Sequence, residues 1–444
     1  MTGLQDAGPL RILIAPSRYV QGPGALGLLA GQLEVLGIKK PLLMGGPTSL
    51  SVSKPLIDAG CTEKGIETEA TEFKRECTYD EVARIAEVCV SKECDAIISI
   101  GGGKGIDAGK AAATGTAIDI GVVPANRMSS FPKDKLERYS LQGKLTKFGA
   151  DVPKIVIPTI AATDAPCSAL TVMYNWEHVY QTFLVYPTNP TMVAVDTNII
   201  AAAPARFLVS GMGDALATWF EADMTFRTNG VNMPGGSPPM TALAIARLCF
   251  DTLLRYGVQA RLAVEAGSTT PAMEKVVEAN ILLSGLGFES GGLSAAHGIH
   301  NGMTALEAKM KDIDYAGLKR PPMHGELVAF GTQCEMVLED RDTEFIRSVM
   351  RFCKTVGLPS TWADMGLKGI TENDIEAAAH ACAKDVLLST MNRAYPEPDA
   401  EGHFYPWAAI RDAMKAVNAM GEAFPDISHP EYTGMKSMST PGSY

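Results

Sequence analysis

Ala96-Ile-Ile-Ser-Ile100-Gly-Gly-Gly-Lys104-Gly-Ile-Asp-Ala-Gly-Lys110 decides the fold. Five apolar or small residues in a row have the length of a buried strand, and the glycines that follow punctuate it. The stretch 106–113 then resumes at helical spacing. A fully apolar strand running through a glycine turn into a helix is the signature of a parallel sheet with crossover helices. Working outward, short β-branched or aliphatic runs at 11–15, 41–44, 154–157 and 192–195 repeat the strand pattern, with helical stretches between them. Beyond Asp196 strand signals fade, and 203–226, 241–256 and 271–286 carry apolar residues at helical spacing. The expectation is an α/β N-terminal domain with a parallel, Rossmann-like sheet, residues 1–203, followed by an all-α C-terminal domain, residues 204–444. The boundary falls near Ala201 to Arg206, where Pro204 interrupts a run of small residues. A polar stretch of mixed charge between Val122 and Asp151, about 123–151, breaks a helix-to-strand connection and reads as an inserted surface excursion.

Composition bounds the function. A chain of 444 residues exceeds one ordinary core and favours two domains. With 46% hydrophobic and 20% charged residues the chain is globular in type, and no uncharged apolar run nears the roughly 18 residues of a membrane span. A formal charge of -11 leaves no broad basic surface for phosphates, so nucleic acid and anionic membranes are not expected partners. The first eight residues lack the features of a signal or transit peptide, so the expected location is cytoplasmic. Nine cysteines without C-x-x-C spacing read as reduced packing residues.

Three stretches carry chemistry. Gly101-Gly102-Gly103-Lys104 lies between strand and helix, with Asp107 in the helix. Backbone N–H groups without a β-carbon in the way, at the positive end of a helix dipole, suit a pyrophosphate, although a tight strand-to-helix turn would need the same glycines. The loop matches neither G-x-G-x-x-G nor a Walker loop. Pro158-Thr-Ile-Ala-Ala162-Thr-Asp164-Ala-Pro-Cys-Ser168 again follows a strand, at the carboxyl end where ligands bind open α/β sheets. There Asp164 stands either as a hydrogen-bond partner for substrate hydroxyls or as an ordinary Asx-turn or helix N-cap. The third stretch is dispersed over Gly213-Asp214, Ala295-Ala-His297-Gly-Ile-His300-Asn301 and Met323-His324-Gly325. Asp214 sits inside an apolar helical pattern, where an unpaired carboxylate is costly and needs a cation or donors. Three of only seven histidines fall in this region. Single buried histidines are usually hydrogen-bonded core residues, but imidazoles with one carboxylate also suit zinc, with room left for substrate. His297 and His300 share a helical face, so one can ligate while the other orients substrate or passes protons.

On these stretches the chain resembles the glycerol dehydrogenases of the iron-containing alcohol dehydrogenase superfamily. The resemblance rests on Gly101 to Lys104, Pro158 to Leu170, Ala203-Pro-Ala-Arg206 with Gly211-Met-Gly-Asp-Ala-Leu-Ala-Thr-Trp-Phe-Glu-Ala222, Gly287 to Gly302, and His324-Gly-Glu. It implies the dehydroquinate synthase-like fold, one Zn2+ per subunit on Asp214, His297 and His324, and substrate hydroxyls at Asp164 beside those ligands. It further implies catalytic roles for Asp164 and His300, and nucleotide contacts at Gly101, Gly102, Gly103, Lys104, Asp107, Thr159, Ala162, Ser168, Leu170 and Tyr174. The implied reaction is oxidation of glycerol and related vicinal diols to dihydroxyacetone by hydride transfer to NAD, in a homo-oligomer of octameric type.

Three departures qualify this. Iron-dependent relatives carry a further histidine one turn after the aspartate, where this chain has Thr218, and a missing fourth ligand leaves room for a chelating diol. The acid that usually ends the second strand and binds the adenosine ribose is replaced by Gly45-Gly46-Pro47, which makes NADP use possible. Extra length occurs near 123–151 and at 309–322. The rival functions are a broader iron-dependent alcohol dehydrogenase and a dehydroquinate synthase-like lyase; the latter handles anions, for which the site-bearing stretches offer few cations.

Overall fold

The computed structural model describes residues 10–114, 116–119, 146–147, 149–177, 180–315, 318–391 and 398–424. The strands in chain order are β1 (Tyr19–Gly22), β2 (Pro41–Gly45), β3 (Glu69–Glu72), β4 (Ala96–Gly101), β5 (Thr116–Asp119) and β6 (Thr146–Lys147). They continue as β7 (Lys154–Pro158), β8 (Leu170–Tyr174), β9 (Tyr180–Val185), β10 (Met192–Asp196), β11 (Ile313–Tyr315) and β12 (Leu318–Arg320). Six of them form the central sheet in the order β1-β10-β7-β4-β2-β3, every neighbouring pair parallel. The four most central strands are buried throughout, because helices cover both faces; that is why they read as unbroken apolar runs.

Two expectations about strands change. Residues 11–15 do not join the sheet. Arg11 makes a lone parallel bridge to Ser237, and Ile14 donates its N–H to Ser290 Oγ at 3.1 Å, so this run spends its backbone on the helical half. The sheet begins instead with Tyr19–Gly22. At the opposite edge, Glu69-Ala-Thr-Glu72 is a strand with no apolar face to announce it, as suits an exposed edge that should not template further pairing. A second sheet, β6-β5-β9-β8, is antiparallel throughout. Apart from 146–147 and 149–151, the segment 122–151 expected as an excursion lies outside the described residues.

After Asp196 the chain is mostly, not entirely, helical. Between His297 and His324, β11 and β12 form an antiparallel hairpin inside the extra segment 309–322. Its anchor is Arg206, wholly buried on the helix Ala205–Arg227. The guanidinium donates to the carbonyls of Ile313 (2.8 Å), Leu318 (2.9 Å), Arg320 (3.2 Å) and Pro321 (3.3 Å), and makes two bonds to Glu326 at 2.7 and 2.8 Å. Five donors in a rigid fork hold together a strand pair that strand propensity alone does not call for.

The two halves share one apolar interior. Ile106, Val156, Val193 and Val195 from the sheet side belong to the same buried cluster as Met212, Leu216, Phe220 and Phe330 from the helices. Polar pins cross the seam: Asn280 Nδ2 donates to Ala161 O (2.9 Å) and Leu208 O (3.0 Å), and Glu289 accepts from Ala169 N (2.6 Å) and from Asn189 Nδ2 (2.5 Å). Asn280 lies in a π-helical turn, Ala279–Leu283, an insertion in the helical phase that often marks a functional site. Through Asn280 the loop after β7 is tied to Leu208, on the helix that carries Asp214.

Candidate metal and active site

Asp214 and His324 meet because their helices touch main chain to main chain. A β-carbon on Gly213 would lie 2.2 Å from Gly325 O, and one on Gly325 would lie 1.9 Å from Ser210 O. Only glycine permits that approach of the helices Ala205–Arg227 and His324–Leu338. His297 comes from the helix Ala295–Met303. Asp214 Oδ1 is then 3.2 Å from His324 Nε2 and 3.4 Å from His297 Nε2, and one donor atom from each residue lies within 4.8 Å of the other two. The sequence-predicted triad is brought together.

The chemistry of these donors fits a cation. Asp214 is buried, yet its Oδ2 has no hydrogen-bond partner among the described residues. His297 Nδ1 donates to Glu221 Oε2 at 2.7 Å, which leaves Nε2 as the nitrogen facing the Asp214 carboxylate. An imidazole oriented by a carboxylate behind it is the usual support of a metal ligand. Burial alone would raise the Asp214 carboxyl, but the nearby His324 and His297 hold it below the usual carboxylate range. Burial likewise pulls His297 down, yet the Glu221 and Asp214 carboxylates hold it well above the ordinary imidazole range. The pocket demands positive charge, which a divalent ion on these three residues supplies.

Glu221 was not anticipated from the sequence. It is buried, and besides the His297 ring its Oε1 accepts the N–H of His297 (2.9 Å) and of Ser294 (3.0 Å). Its only signal is position, seven residues after Asp214 and thus on the same face of one helix. Glu221→Gln is expected to weaken metal binding about 10- to 100-fold, read by competition with a chelator, with little change in fold. Unchanged affinity would remove Glu221 from this role.

His300 stands behind His324: its Nε2 is 3.1 Å from His324 Nδ1, and its Nδ1 faces Asn301 Oδ1 at 3.0 Å. It braces the His324 ring, and burial followed by the charges of His324 and His297 keeps it well below the ordinary imidazole range. Asp164 opens the short turn Ala165–Cys167 but does not cap it with its side chain. Its Oδ2 instead accepts from Ser284 Oγ at 2.6 Å, and Ser284 Oγ is 2.9 Å from Thr218 Oγ1. Burial and then the neighbouring Asp214 charge raise the Asp164 carboxyl well above its usual range. Thr218, one turn after Asp214, therefore reaches Asp164 through one hydroxyl.

On the sheet side, Gly101 closes β4 at φ +151° and Gly102 begins the helix Gly103–Ala113 with no side-chain cap, so its first N–H groups are uncommitted to a cap. Thr159 N–H donates to Gly101 O at 3.0 Å, joining the two loops. Lys104 Nζ pairs with Glu76 Oε2 at 2.7 Å and lies 4.5 Å from the Tyr174 ring centre. Ala162 and Leu170 are half-buried. Asp107 and Ser168 turn inward: Asp107 Oδ2 accepts from Val172 N–H (2.9 Å), and the buried Lys110 ammonium reaches Asp107 Oδ1 (3.0 Å) and Ser168 Oγ (3.1 Å). Gly46 forms the N-cap of the helix Pro47–Glu63, so no carboxylate stands at the end of β2.

Comparison with known proteins accords with this geometry. Residues 16–197 match the iron-containing alcohol dehydrogenase family. The chain is 42% identical over 376 residues to a glycerol dehydrogenase of Thermotoga maritima, covering 84% of this chain and 90% of that one. It is 39% identical to a glycerol dehydrogenase of Citrobacter freundii, over 86% and 93% of the two chains. Among solved structures, a probable glycerol dehydrogenase from Sinorhizobium meliloti superposes with TM-score 0.74 at 35% identity, over 93% of this chain and 99% of that one. The glycerol dehydrogenase of Schizosaccharomyces pombe gives 0.76 at 30%, over 93% and 91%. With relatives 38–42% identical and solved structures matched along most of its length, the chain belongs to the glycerol dehydrogenases of the iron-containing alcohol dehydrogenase family, oxidoreductases that use NAD and a metal ion.

Proposed function

We propose that the protein oxidises glycerol and related vicinal diols to dihydroxyacetone-type ketones, passing hydride to NAD, with zinc on Asp214, His297 and His324. The observation that carries this is the unpartnered, buried Asp214 Oδ2 beside two imidazoles aimed at the other oxygen of the same carboxylate. A zinc ion bound there supplies Lewis acidity, which lowers the pKa of a ligated hydroxyl and stabilises the anion formed from it. Everything else falls to the protein. Asp164, held by Ser284, presents its carboxyl group to a substrate hydroxyl. The uncapped start of the helix Gly103–Ala113 receives the pyrophosphate, Thr159 and Tyr174 flank it, and residues 1–203 thus carry the nucleotide while 204–444 carry the metal.

The diol preference follows from Thr218. A hydroxyl tied to Ser284 and Asp164 occupies the place of a further imidazole, leaving coordination for two substrate oxygens. An anionic substrate fits poorly: of the two cations in the site-bearing stretches, Lys104 is paired with Glu76 and Arg206 with Glu326. Without an acid at Gly46, NADP is a possible second cofactor. By family likeness we further propose a cytoplasmic homo-oligomer, an octamer.

The test follows NADH and NADPH formation with glycerol, 1,2-propanediol and ethanol, before and after chelation and after zinc or iron is restored. The expected order is diols over ethanol, with activity lost on chelation and recovered with zinc. Activity indifferent to chelation, or ethanol preferred to glycerol, would overturn the proposal.

A further inference from the structure

A second group of donors lies away from this site, where the helix Glu372–Ala383 meets the start of the helix Trp407–Ala423. His380 Nδ1 and His403 Nε2 face each other at 3.1 Å. Both rings are held. Asp399 Oδ2 is 3.1 Å from His403 Nδ1, while Asp399 Oδ1 accepts the N–H groups of Glu401 and His403, each at 2.9 Å. A carboxylate only accepts, so His403 carries its proton on Nδ1 and turns a bare Nε2 toward His380. The His380 ring stacks on Trp407, with centres 4.1 Å apart and planes 23° apart. One donor atom from each of His380, Glu401 and His403 lies within 4.8 Å of the other two.

We infer that His380, His403 and Glu401 form a second metal site for a borderline divalent cation of the zinc type. The donor set is two imidazoles and a carboxylate, the softness that selects Zn2+, Ni2+ or Cu2+ over Mg2+ or Ca2+. The Asp399–His403 pair is the carboxylate–histidine support that orients a ligand nitrogen. The spacing is close to ready: two nitrogens at 2.0–2.1 Å from a tetrahedral zinc stand about 3.3 Å apart, a few tenths wider than the present gap. Glu401 is exposed, with its Oε2 now 3.8 Å from His403 Nδ1, and completes the set by turning its side chain toward the Nε2 side, with a fourth position left to water. None of these residues belongs to the Asp214 cluster. The ion is a clasp: it fixes the loop before Trp407 to the helix Glu372–Ala383, where the Phe404 N–H to Ala383 O bond of 2.7 Å already joins them.

The test dialyses the intact enzyme against buffered micromolar zinc and counts metal per chain by mass spectrometry. Wild type is expected to hold one zinc more than His380→Ala and His403→Ala, whatever ion occupies the Asp214 site, with kcat and KM for glycerol unchanged within about twofold. Because His403 is buried and its loss can unsettle the loop, Glu401→Gln serves as the exposed variant, expected to weaken the extra zinc by about tenfold or more with the fold intact. Zinc should also raise the melting temperature of wild type further than that of Glu401→Gln. Equal zinc content in wild type and the histidine variants, or Glu401→Gln binding as tightly as wild type, would overturn the inference.

Discussion

Asparagine in place of Asp214 is expected to strip the bound metal and lower kcat/KM for glycerol by about a thousandfold or more. The magnitude follows from the several kcal/mol that a Lewis-acidic ion contributes to a developing anion, at 1.36 kcal/mol per tenfold. The substitution keeps the volume and the helix but replaces an anionic ligand with a neutral amide, so two imidazoles must hold a divalent cation unaided. Metal content measured beside the kinetics separates this from misfolding, and binding of NADH, proposed to rest on the β4 loop, should persist. A variant that retains one metal per chain would show that Asp214 is not the ligand its burial and unpartnered oxygen indicate.

Arg206→Met is the second large effect, on stability rather than chemistry. The guanidinium is fully buried, saturated by Glu326 and by four carbonyls of the hairpin region. Removing one member of a buried ion pair leaves an unpaired charge and costs about 3–5 kcal/mol. Orphaned hairpin carbonyls add to that. The consequence reaches the site, since Glu326 also accepts the Met323 N–H at 2.8 Å and so fixes the first turn of the helix that begins at His324. Denaturant titration should show the loss, and metal affinity should fall with it. Adding Glu326→Gln to Arg206→Met should recover part of the stability, because the stranded carboxylate is gone. A loss under about 1 kcal/mol in the single variant would mean that the pair is replaceable by packing.

What the sequence disclosed and what it hid have different physical origins. The core strands were legible because burial on both faces forces unbroken apolar runs. Asp214 stood out because a carboxylate within an apolar helix is too costly to bury without a cation or donors beside it, whereas the choice of His297 and His324 as candidate partners came from the family resemblance. Glu69–Glu72 was hidden because an edge strand has no such burden, and residues 11–15 misled because an aliphatic run half-buried beside a loop looks like one packing in a sheet. The hairpin at 313–320 depends on a side chain more than a hundred residues earlier, which no local pattern encodes. Asp164 reads from sequence equally as a cap or as a contact for substrate hydroxyls; its side chain makes no cap and accepts from Ser284 instead. Glu221, a buried acid on the Asp214 helix, carries no local mark that separates it from a solvated charge.

The glycine contact between the Asp214 and His324 helices has a consequence for how this site can change over time. Since the gap between a carboxylate and an imidazole is set there by two main chains in contact, it does not depend on any repackable side chain. The frame behaves as a fixed jaw and position 218 as an adjustable tooth. A change at Thr218 can therefore alter the hydroxyl chain to Ser284 and Asp164 without moving the two helices, whereas a single methyl group at Gly213 or Gly325 would force those helices apart.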